Sequence, residues 1–101
     1  MSTYTPDLWV VLEFKEKDSE EVNRKVLASW YGGYAGSDSW KLSSGITEIV
    51  DTETHHEIHN HSGSVYRCHK SAMGMSGYTT GVYENFVNQL KDKATITLVT
   101  L

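Results

Sequence analysis

Leu8, Val10, Leu12 and Phe14 are apolar at every second position, while Trp9, Val11, Glu13 and Lys15 between them turn polar along the run. A period of two predicts a β-strand over about residues 8–15, with one wholly apolar face. Before it, residues 1–7 read as a short arm, because Pro6 opposes regular structure.

The next segment predicts a helix from Asp18 to Tyr31. Val22, Val26 and Trp30 recur every four residues, and Leu27 and Tyr31 widen the stripe. Asp18 and Glu21 have the spacing of a capping box, and Glu20–Arg24 and Glu21–Lys25 form favourable pairs four apart. Gly32-Gly33 stops the run. Residues 32–45 then show no steady period, although Trp40 to Leu42 could form a short strand within that loop.

Ile46 to Asp51, His55 to Asn60 and Ser64 to His69 read as a meander of short strands. Asp51-Thr52-Glu53-Thr54 and Asn60-His61-Ser62-Gly63 supply its polar turns. Alternation is poor here: Ile46, Ile49, Val50 and Ile58 mark no common face. A second Gly/Ser loop covers residues 71–80. Thr80 then caps a second helix from Gly81 to about Asp92, striped by Val82, Phe86 and Leu90 and joined by Tyr83 and Val87. Ala94 to Leu101 closes the chain as a strand.

The order β-α-β-β-β-α-β predicts one α+β domain over residues 1–101. Its expected form is a two-layer sandwich: a mostly antiparallel sheet with two helices on one face, a ferredoxin-like variant being the first topology to consider.

Composition narrows the function classes. The chain has 101 residues, nine Lys and Arg against thirteen Asp and Glu, and a formal net charge of −4. A phosphate backbone needs a basic face, so this balance disfavours a nucleic-acid partner. The longest early apolar run is Leu8 to Leu12, and no segment approaches the ~20 apolar residues of a membrane-spanning helix. With one cysteine, Cys68, no internal disulfide forms, and the expected setting is the cytoplasm.

Three groups of side chains could carry chemistry. His55, His56, His59 and His61 fall within seven residues, with His69 in the following strand. On a strand His55, Glu57, His59 and His61 share one face, so His55, His59 and His61 are candidate metal ligands. The competing reading is a solvated strand face with Ile58 inward. The run His56-Glu57-Ile58-His59-Asn60 misses the zincin motif, because Asn60 stands where its second His is needed. Cys68-His69 suggests a thiol and base, yet strand neighbours point to opposite faces, and a small buried thiol beside Tyr66 is the default. Ser62-Gly63-Ser64 forms a tight turn whose N–H groups and hydroxyls suit an anion, although a hairpin turn alone explains it. No catalytic set and no cofactor motif is recognisable.

The aromatic residues say more. All eight glycines lie between Gly32 and Gly81, and Trp30, Tyr31, Tyr34, Trp40 and Tyr78 are interleaved there with Gly, Ser and Thr. Rigid rings among adaptable polar residues have the composition of a recognition surface. Met73 and Met75 could add apolar contacts or fill the core. Trp40, Tyr34 and Tyr78 are the expected contact residues, with Tyr31 beside them.

Ser39-Trp40-Lys41-Leu42-Ser43-Ser44-Gly45-Ile46, followed by Ser62-Gly63-Ser64-Val65-Tyr66-Arg67-Cys68-His69, resembles a pattern in small uncharacterised accessory proteins of tailed bacteriophages. The similarity spans about residues 39–87. It implies a compact phage accessory or host-interaction protein working in the host cytoplasm, and it brings no activity, cofactor or catalytic residue. The expected function is a non-enzymatic binding module that contacts a protein partner and associates with itself. The alternatives are a small-ligand or nucleotide binder using Ser62 and Ser64, and a histidine-based metal protein.

Overall fold

The structure is a computed structural model and describes residues 2–33 and 36–101. In chain order its elements are β1 (Thr3–Tyr4), β2 (Leu8–Glu16), β3 (Val22–Trp30), β4 (Ser39–Leu42), β5 (Ile46–Asp51), β6 (His55–Asn60), β7 (Val65–His69), a 3-10 turn (Lys70–Ala72), α1 (Gly77–Leu90) and β8 (Ala94–Val99). They form two four-stranded sheets, ordered β4-β3-β2-β8 and β1-β7-β6-β5, with β1–β7 the parallel pair.

β2 organises both halves of the core. Val10, Leu12 and Phe14 share a face with Leu27 and Ile96, and α1 covers that face with Val82, Tyr83, Phe86, Val87 and Leu90. On the opposite face Trp9 and Val11 join Val26 and Ala28 against Ile58, Tyr66 and Cys68 of the second sheet. The result is three layers, helix on sheet on sheet, with β2 buried from both sides. Glu13 is half-buried and Lys15 exposed on the inter-sheet face, so the second sheet covers only the first part of β2.

This corrects the expected single sheet with two helices on one face, and with it the ferredoxin-like order. The segment expected as the first helix is β3, paired with β2 from Leu8↔Ser29 to Lys15↔Val22. The misreading has a geometric cause. A spacing of four returns to nearly the same face of a helix and to the same face of a strand, so Val22, Val26 and Trp30 satisfy both. Pairing with β2 and β4 decides for the strand, and β-branched Val22 and Val26 suit it. The acidic box belongs to a turn instead, in which the Glu21 N–H donates to Ser19 Oγ (3.0 Å) and the Ser19 N–H to the Glu16 carbonyl (3.2 Å). Arg24 meets Glu13 across the strands (3.1 Å) rather than Glu20 along a helix.

The meander is present as expected, and a bulge between Ile46 and Glu48 accounts for its poor alternation. The extra residue shifts the parity of β5, so Ile46 and Ile49 both pack towards the core although they lie three apart. The surviving helix begins four residues before the expected Gly81. Ser76 caps it: the Thr79 N–H donates to Ser76 Oγ (3.3 Å), and the Ser76 N–H donates to Thr79 Oγ1 (2.8 Å). Threonine takes the part that Glu plays in the usual box. Tyr78 therefore sits on the first turn of α1 rather than in a loop.

Candidate functional site

The short edge strand β4 carries two different surfaces, because alternate residues of a strand point to opposite faces. Trp40 pairs with Ser29 and Leu42 with Leu27, which places both on the helix side. The Trp40 indole meets Phe86 of α1 edge-on, with centroids 5.5 Å apart, and keeps 40% of its surface exposed. Tyr31, just past β3, is 59% exposed, and its N–H donates to Asp7 Oδ2 (2.8 Å). Tyr78 is 42% exposed. The start of α1 is anchored near the first residues of β2, since the Gly74 N–H donates to the Trp9 carbonyl (2.8 Å). Because Trp9 pairs with Ala28 and Trp40 with Ser29, Trp40, Tyr31 and Tyr78 belong to the same end of the molecule.

The other aromatic and methionine residues divide differently. Trp30 is half-buried, packs edge-on against Tyr4 (6.2 Å) and donates its Nε1–H to the Thr5 carbonyl (3.0 Å). Met73 is exposed, while Met75 packs into the helix-side core. Tyr34 lies outside the described residues.

Lys41 pairs with Ala28 and points the other way, into a cleft of about 380 Å³ that it shares with Tyr4, Ser44, Ser62, Ser64 and Tyr66. The turn between β6 and β7 is tied to the link before β5: the Ser62 N–H donates to Ser44 Oγ (3.0 Å) and the His61 N–H to the Gly45 carbonyl (2.8 Å). Gly63 takes a φ of +91° there, which favours glycine. Ser62 Oγ and Ser64 Oγ lie 3.2 Å apart. The Lys41 ammonium sits 5.2 Å from the centre of the Tyr4 ring, which packs at 5.0 Å against Tyr66. Burial, helped by Tyr4 and Cys68, pushes the Tyr66 hydroxyl up to about 12, so it remains a donor. The sequence pointed to Ser62 and Ser64 but not to Lys41, Ser44 or Tyr4. Ser43-Ser44-Gly45 resembles Ser62-Gly63-Ser64 in composition, and that was the available signal.

Two of the histidines meet, but no three of them converge. His56, Ile58 and Asn60 point inward from β6, and His55, Glu57 and His59 outward. His55 lies opposite His69 with ring centres 4.8 Å apart, and Arg67 Nε pairs with Glu57 (3.2 Å) on the same face. Desolvation first, and then the charges of Arg67 and His69, lower the pKa of His55. His69 Nδ1 accepts the Ser71 N–H (3.1 Å), and His56 Nδ1 bonds to Asp51. That bond lowers the pKa of the Asp51 carboxyl. His61 is exposed in the turn. Among the described residues no three His, Cys, Asp or Glu side chains gather in a metal-ligating group, and none of their helices is long and apolar enough to cross a membrane.

Cys68 is fully buried, and desolvation pushes its thiol up to about 12. A nucleophilic cysteine needs the opposite shift. No family model matches the chain, nor does any curated protein or solved structure at a significant level.

Proposed function

We propose that the protein is a non-enzymatic binding module that docks a protein partner through Trp40, Tyr31 and Tyr78. The observation that carries this reading is Trp40, whose indole is held in place by Phe86 yet keeps 40% of its surface exposed. A ring already immobilised loses little entropy on binding, which is the usual condition of an interface hot spot. The buried, protonated Cys68 thiol is no nucleophile, which favours recognition over covalent chemistry. The similarity to phage accessory proteins fits a host protein as the partner, with self-association as a further mode.

Affinity capture with wild-type, Trp40→Ala and Tyr78→Ala baits tests the reading. The expected result is a partner held by the wild type and lost from both variants while their circular dichroism is unchanged. Identical captured proteins from all three baits would remove the proposal.

A further inference from the structure

The cleft beneath Lys41 faces away from the aromatic end of β4, and its donors are not all used. Ser44 Oγ accepts the Ser62 N–H, which leaves its own O–H free to donate. Ser62 and Ser64 share one hydrogen bond between their hydroxyls, so one O–H remains to be placed. Tyr66 lines the cleft, and its hydroxyl, which bonds to no other group among the described residues, is reachable from it. That O–H is available to an acceptor in the cleft. Among the described residues of the lining, Lys41 adds three N–H donors and the one formal charge, and none is a carboxylate.

We infer that this cleft binds the phosphate group of a small phosphate monoester, held by Lys41, Ser44, Tyr66 and the Ser62–Ser64 turn. The donors come from β4, the link before β5, the β6–β7 turn and β7, and so from several directions. A tetrahedral oxyanion accepts along several directions, whereas a carboxylate accepts within one plane. The His61, Ser62, Gly63 and Val65 N–H groups of the turn are bonded within the protein, so its contribution comes from the Ser62 and Ser64 hydroxyls, which Gly63 positions through its positive φ. A volume of about 380 Å³ exceeds what the phosphate alone fills, leaving room for a small organic group against the Tyr4 ring. The site is independent of the aromatic face, because Trp40 and Lys41 occupy opposite sides of β4.

The test is a titration of the full chain with inorganic phosphate and with O-phosphoserine, followed by amide chemical shifts at constant ionic strength against chloride. Saturating shifts at residues 43–45 and 62–65 are expected with both, tighter for the monoester. Equal affinity would assign the site to the free anion and overturn the monoester. Lys41→Gln and Tyr66→Phe should each weaken binding about tenfold or more, the size of a lost charge-assisted or buried hydrogen bond. Lys91→Gln, which makes the same change in net charge at the far end of α1, should leave binding unchanged. Tyr66→Phe should also keep the melting temperature without ligand, because the hydroxyl it removes bonds to no other group among the described residues. Shifts that rise linearly as they do with chloride, or an affinity unaffected by Lys41→Gln and Tyr66→Phe, would overturn the inference.

Discussion

The Trp40 indole and the Phe86 ring meet edge to face at an interplanar angle of 84°, and this contact ties the four-residue edge strand β4 to helix α1. Such pairs contribute roughly 0.5–1.5 kcal/mol beyond the area they bury. Trp40→Ala is therefore expected to lower stability by about 1–2 kcal/mol, since the ring is only partly buried. A double-mutant cycle with Phe86→Ala, followed by urea denaturation, should return a coupling of about 1 kcal/mol. A coupling near zero would show that the contact does not hold β4 in place.

Cys68 and Tyr66 make the protein sensitive to alkali. The thiol rises from 9.0 and the phenol from 10.0, each to about 12 in the native state. Raised values mean that the unfolded chain loses these protons first. Their contribution is complete below the unfolded values and is lost as pH climbs from 9.0 towards about 12. The urea midpoint should fall across that window, and less steeply in Cys68→Ala. Native protein should also resist alkylation by iodoacetamide at pH 8 until it is unfolded.

In acid the shifts have the opposite sign. Both His55 and Asp51 have pKa values below their ordinary 6.5 and 3.8, so the folded state favours neutral imidazole and ionised carboxylate. Stability from His55 is present above 6.5 and falls as pH drops below it; the Asp51 contribution follows below 3.8. His55→Gln should flatten the first part of the pH–stability curve and Asp51→Asn the second. Curves that superpose on the wild type would refute the assignments.

Ser76 is the reciprocal partner of Thr79 at the start of α1. Ser76→Ala should cost about 1 kcal/mol and fray the first helical turn, where Tyr78 sits. Thermal denaturation followed at 222 nm measures the cost. An unchanged midpoint would mean the cap contributes nothing.

Self-association is open to a direct measurement. Light scattering at high concentration should give a mass that is a multiple of 11.4 kDa. A species of 11.4 kDa alone at every concentration would end that part of the proposal.

The residue pattern by itself determined the strands whose signal is local. β2 was legible from alternation, and the β5–β6–β7 meander from polar turns at short intervals. The last strand and most of α1 were legible for the same reason. Tertiary structure decided the rest. The every-fourth spacing of Val22, Val26 and Trp30 serves helix and strand alike, and only pairing with β2 and β4 separates them. The β5 bulge hid the common direction of Ile46 and Ile49, because an inserted residue breaks the period on which such readings depend. The cleft was beyond local reading for a further reason: Tyr4, Lys41, Ser62 and Tyr66 lie on distant parts of the chain. They meet because β1 pairs with β7 while the sheet carrying β4 packs across them, and no short-range pattern encodes that contact.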